Sequence, residues 1–171
     1  MVSDDRSDRL STFTSPASAS RPQAAADVVI GSTDARSASF DVGGFTLELV
    51  AADGNASLAV IAGPDRDAYR LDANALEHWA DATVRLLALS TAAGPSDCAE
   101  FRAPFLMDAH GRASIAFESA VTRGGVVHRL LVMRHDGRVA TIVTGGDLLR
   151  ELIEAARGAA AFVRSRSSAS H

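Results

Sequence analysis

The sequence predicts an α+β fold: two antiparallel four-stranded sheets, each followed by a C-terminal helix, in the order ββββα–ββββα. Three observations carry this expectation. Runs with a two-residue apolar period fill 37–71 and again 99–143, punctuated by turn pairs such as Asp53-Gly54 and Asp136-Gly137. Two longer segments, beginning near 72 and near 144, change to the 3.6-residue period of an amphipathic helix. The third strand, the fourth strand and the helix then recur at an offset of about 71 to 73 residues.

Residues 1–35 read as a flexible arm, because 11–23 mix Ser, Thr, Pro and Ala with little to bury. Within that arm, Val28-Val29-Ile30 could add an edge strand. The first strand is 37–42, closed by Gly43-Gly44. In 45–51, Phe45, Leu47 and Leu49 alternate with Thr46 and Glu48, as in a half-buried strand. Asp53-Gly54 suits a tight hairpin into 56–62, and Gly63-Pro64-Asp65 turns the chain into 67–71. A helix follows, capped by Asp72 or by Asn74, which has capping-box spacing to Glu77. Its apolar stripe is Leu76, Trp79, Ala80, Thr83, Val84 and Leu87. Gly94 and Pro95 make 91–97 a linker.

The second block starts with 99–107, which places Phe101, Ala103, Phe105 and Met107 on one face. Pro104 lacks an N–H, so this strand belongs at an edge or carries a bulge. Next come 112–121, the Arg123-Gly124-Gly125 turn, 126–134, and 138–143. Strand 126–134 is apolar on both faces and therefore needs cover on both sides, which motivates homo-oligomerisation. The second helix is capped by Thr144 with Asp147 and buries Leu149, Leu152, Ile153, Ala156, Ala160 and Val163. Arg164 and Arg166 suit its negative C-terminal pole, and 166–171 reads as a flexible tail. The globular part is thus 36–165, made of pseudo-repeats 36–90 and 98–165.

The 171 residues are 47% apolar and 22% charged, which suits a folded chain and excludes wholesale disorder. Lysine is absent, and the net charge of −4 argues against a general DNA coat. Residues 1–97 hold 7 Arg against 14 acids, whereas 98–171 hold 10 Arg against 7 acids. A local basic surface on the second half is therefore open. A single cysteine, an acidic start and no apolar run of membrane-spanning length make the cytoplasm the expected compartment and a membrane partner unexpected.

The paired segments over about 37–165 resemble, in topology, the Whirly and PC4-like single-stranded DNA-binding group and the related PUR repeat. The resemblance rests on no specific motif, and the lysine-rich and aromatic DNA-contact signatures of those families have no counterpart in the chain. It implies a curved antiparallel sheet surface backed by helices, with oligomerisation and single-stranded DNA or RNA as partners.

Residue chemistry points to binding rather than catalysis. His78, His110, His128, His135 and His171 form no metalloprotease pattern, no serine has nucleophile-elbow surroundings, and the glycine pairs lack phosphate-loop spacing. Cys98 reads as a small buried residue. No cofactor and no metal are expected. The nucleic-acid-binding candidates are Arg102, Arg112, His128, Arg129, Arg134 and Arg138, which lie on or beside the second set of strands. Arginines that track phosphates, with aromatic faces for bases, make a single-stranded nucleic-acid surface. The same arginines could instead form a solvated face with intramolecular pairs, or meet a protein partner. The functional expectation is a non-enzymatic binding protein, a single-stranded nucleic-acid-binding or transcription-associated regulator. The alternatives are a protein-interaction or homo-oligomeric scaffold module, and an enzyme whose site is assembled from dispersed residues.

Overall fold

The computed structural model describes residues 35–94 and 98–169, so most of the expected arm, Val28–Ile30 and His171 lie outside the described residues. The first sheet has the order β1 (Ala35–Val42), β2 (Phe45–Ala52), β3 (Asn55–Ala62), β4 (Asp65–Leu71), and α1 (Ala73–Ala92) follows. The second has the order β5 (Glu100–Arg102), β6 (Ile115–Thr122), β7 (Gly125–Met133), β8 (Val139–Thr144), and α2 (Gly146–Ala169) follows. All neighbouring strands are antiparallel. The duplicated ββββα topology expected from the sequence is the topology found.

Each sheet turns one face to a shared core. Phe40, Leu47, Leu58 and Tyr69 line the first, and Ile115, Phe117, Leu130 and Val132 the second. β6 is buried on its other face as well, at Ala116, Glu118 and Ala120. The helices are exchanged between the halves. α1 lies over β5 and β6 of the second sheet, and α2 lies over β1, β2 and β3 of the first. Trp79 of α1 accordingly stacks, tilted, on Phe117 with ring centroids 5.7 Å apart. The helices also pack on one another, joined by Arg157–Asp81 at 2.8 Å and Arg164–Glu77.

Several local expectations are corrected. α1 is capped by Asp72, whose carboxylate accepts from the Ala75 N–H at 2.7 Å. Asn74 and Glu77 are used instead to hold Arg164. Val84 is exposed, and the buried stripe continues through Leu86 and Ser90. Thr144 ends β8 rather than capping a helix, and α2 runs on to Ala169, which keeps Arg166 in the last turn as expected but leaves Arg164 ahead of it. Arg164 therefore serves the helix–helix contact instead of a helix end. Cys98 is exposed, with φ +38°.

The largest departure is at 99–107. β5 stops at Arg102, and the Ala103 and Leu106 N–H groups donate to Phe117 and Ile115 carbonyls, both at 2.8 Å. Three steps along this chain thus match two along β6, which is a bulge around Pro104. The extra residue inverts the alternation: Leu106 is buried, Phe105 is half-buried and Met107 is exposed. β6 also begins at Ile115 rather than at Arg112.

Candidate interaction surface

The sequence candidates are distributed over separate places. Arg102 and Arg129 share the outward face of the second sheet, the face opposite Phe117. Register sets Arg102, Glu118, Arg129 and Val143 directly opposite one another across β5, β6, β7 and β8. Arg102 Nε donates to Glu118 Oε2 at 2.9 Å and Arg129 Nη1 to Glu118 Oε1 at 2.8 Å. The Glu118 side chain is only 8% exposed. Hydrogen bonds from Arg102 and then Arg129 outweigh the effect of burial and hold its carboxyl below the ordinary 4.5.

Arg112 and Arg134 come together elsewhere, at the seam where β4 meets the 107–113 turn and the start of the β7–β8 hairpin. Arg112 pairs at 2.6 Å with Asp108, whose side chain is fully buried. Burial raises the Asp108 pKa, but N–H groups of Arg112 and His110 and the Arg112 guanidinium outweigh it and leave the carboxyl lowered. Arg134 pairs with Asp67 of β4, and the His135 N–H donates to the same carboxylate at 3.3 Å. The Tyr69 hydroxyl donates to the Met133 carbonyl at 2.6 Å, and the Ala109 N–H to the Arg70 carbonyl at 2.8 Å. The His135 ring meets Tyr69 edge-on at 4.7 Å. These contacts fasten the two sheets together. Arg138 sits in the β7–β8 turn, 3.5 Å from Asp136, with its side chain largely exposed.

His128 lies on the opposite, inward face. Its Nδ1 is 2.7 Å from the hydroxyl of fully buried Ser119. Burial, and then the charge of Arg150, lower its pKa below 6.5. The ring borders an open cleft of about 410 Å³ formed with Leu87, Thr91, Gly146 and Arg150. Ser119 does not line that cleft. Among the described residues, no three His, Cys, Asp or Glu side chains gather as a metal-binding group. None of the described helices is long and apolar enough to cross a membrane.

The outward face of the second sheet combines charge and apolar area in a way the sequence reading did not isolate. Beside the Arg102–Glu118–Arg129 row stand buried Ala116 and Leu131 with exposed Thr141 in one register row, and half-buried Met133 with exposed Val139 in the next. Val143 is 70% exposed and Val139 49%. None of the outward positions of these four strands is aromatic. Phe101 and Phe117 belong to the inward face and the core. The signal for Glu118 was present, since a lone acid interrupts the run IAFESAV, but its two partners depend on strand register. No protein-family model, curated protein or solved structure matches the chain.

Proposed function

We propose that this protein is a non-enzymatic interaction module that associates with protein, including further copies of itself, through the outward face of its second sheet. The observation that carries this reading is the composition of that face. Exposed Val143 ends a row whose two arginines share one nearly buried carboxylate, which leaves the row a single net positive charge. Exposed Val139 lies further along the same strand. A phosphate backbone approaching this row would meet Glu118 between the two guanidiniums, with no aromatic ring on which to stack a base. Apolar area rimmed by paired charge is instead the composition of protein-binding patches.

Single-stranded nucleic acid is the second reading. What favours it is the placement of Arg102 and Arg129 on one open sheet face, in a topology resembling the Whirly and PC4-like group. Salt separates the two. Association through apolar surface persists at high salt, whereas phosphate contacts weaken steeply. Sedimentation at micromolar concentration should show salt-resistant self-association, with no shift of a single-stranded oligonucleotide in a gel. A salt-sensitive shift that disappears in Arg129→Ala would decide for nucleic acid instead.

A further inference from the structure

The geometry points to the free edge of β8 as the seam of a two-fold symmetric dimer, in which β8 pairs antiparallel with β8 of a second copy and joins two sheets into one. This rests on the self-association reading above and gives it a location. Among the described residues, β8 pairs with β7 alone, and no other backbone hydrogen bond reaches it. An unpaired edge exposes a row of N–H and C=O groups that templates another strand, and proteins ordinarily blunt such edges.

The other edges of this molecule are blunted. β1 carries Arg36 and Asp41. β4 carries Asp65, Arg66, Asp67 and Arg70, and its margin is engaged by the Ala109 and His135 N–H groups. β5 is three residues long and is followed by the Pro104 bulge. β8 has none of these devices. Its sequence, VATIVT, is uncharged and free of proline, and five of its six residues are β-branched. The turn at Gly43 meets it from the inward side, where a Cβ would lie 2.5 Å from Ile142 Cγ2. Val139, Thr141 and Val143 remain exposed on the other side.

A second copy fits this edge because antiparallel pairing of a strand with itself is closed by a two-fold axis. Directly opposed residues in such a pair share a face. Centring the pair on Thr141 sets Val139 of each copy against Val143 of the other, and Ala140 against Ile142, so that no charge opposes another. The outward apolar patches then become continuous across the axis.

Opposed charges make the register testable. In V139K/V143K, lysine faces lysine at both ends of the seam. In V139K/V143E, each lysine faces a glutamate. All four substituted side chains sit at exposed positions, and circular dichroism should report an unchanged fold in both variants. Sedimentation equilibrium is expected to show a wild-type dimer, a dissociation constant raised about tenfold or more in V139K/V143K, and recovery in V139K/V143E. A wild-type dimer that both variants leave unchanged overturns the seam while self-association stands. A V139K/V143E protein as weak as V139K/V143K overturns the antiparallel register. A wild type that is monomeric at micromolar concentration overturns the seam and the self-association reading together.

Discussion

Glu118 shows how a single carboxylate fixes the character of a surface. It sits among apolar neighbours on β6, almost out of water, and two arginines from flanking strands supply its hydrogen bonds. Its pKa is lowered, so the carboxylate stabilises the fold above the unfolded value, and that contribution is lost as pH falls through the folded one. Asp108, also lowered, adds to the same acid limb. Glu118→Gln should therefore cost about 1–2 kcal/mol near neutral pH, reduced from a fully buried pair because both guanidiniums are partly solvated. Urea melts at pH 7 and pH 3 should show the variant closer to wild type at the lower pH. Tyr69 governs the opposite limb. Burial, and then the charge of Asp67, raise its hydroxyl from 10.0 to about 12. The folded state keeps that proton where the unfolded state has lost it, so stability declines as pH rises from about 10 to about 12. Tyr69→Phe should cost about 1 kcal/mol at pH 8, where the Met133 carbonyl loses its donor, and should flatten the alkaline decline in denaturant melts.

Among the elements, the segment from Glu100 to Met107 separates what periodicity can read from what it cannot. Strict alternation puts Phe105 and Met107 with Phe101 on the core side. The bulge puts Leu106 there instead, at 2% exposure. Leu106→Ala should then cost about 2–5 kcal/mol. Phe105→Ala should cost distinctly less, and Met107→Ala should stay within about 0.5 kcal/mol. Equal or reversed costs for Leu106 and Phe105, measured by chemical denaturation, would restore the unbroken strand. Pro104 in the sequence does announce an irregularity, but a missing N–H does not say on which side the extra residue is inserted. The remaining strands were legible because their turns carry Gly at the bends and their apolar residues keep a two-residue period. Helix ends were less so. Asn74 and Glu77 have the spacing of a cap, yet a guanidinium 87 residues away from Glu77 in the chain claims both side chains. The paired arginines of the candidate surface belong to the same class of information. Arg102, Glu118 and Arg129 read as separate charges until strand register sets them side by side.

At the scale of the whole molecule, the exchange of helices has a consequence for folding. Neither ββββα unit covers its own sheet with its own helix. The apolar face of the first sheet is roofed by α2, and that of the second by α1, while the helices also clasp one another. A lone 1–94 fragment would therefore present Leu47, Leu49 and Leu58 on one side and Leu76, Trp79 and Leu86 on the other, with their native partners missing. A single four-stranded sheet with an unseated helix is near the lower limit of what a hydrophobic core sustains. The fragment should fail to show a cooperative thermal transition by circular dichroism, and so should a fragment spanning 98–171. The full chain should unfold in one step. Its only tryptophan, Trp79, reports the seat of α1 against Phe117 of the opposite half, whereas far-ultraviolet ellipticity reports both halves together. Coincidence of those two signals in a urea titration is the expected result for an interlocked unit. A tryptophan transition well ahead of the ellipticity would show α1 leaving the second sheet by itself, and the two halves would then have to be treated as separate folding units.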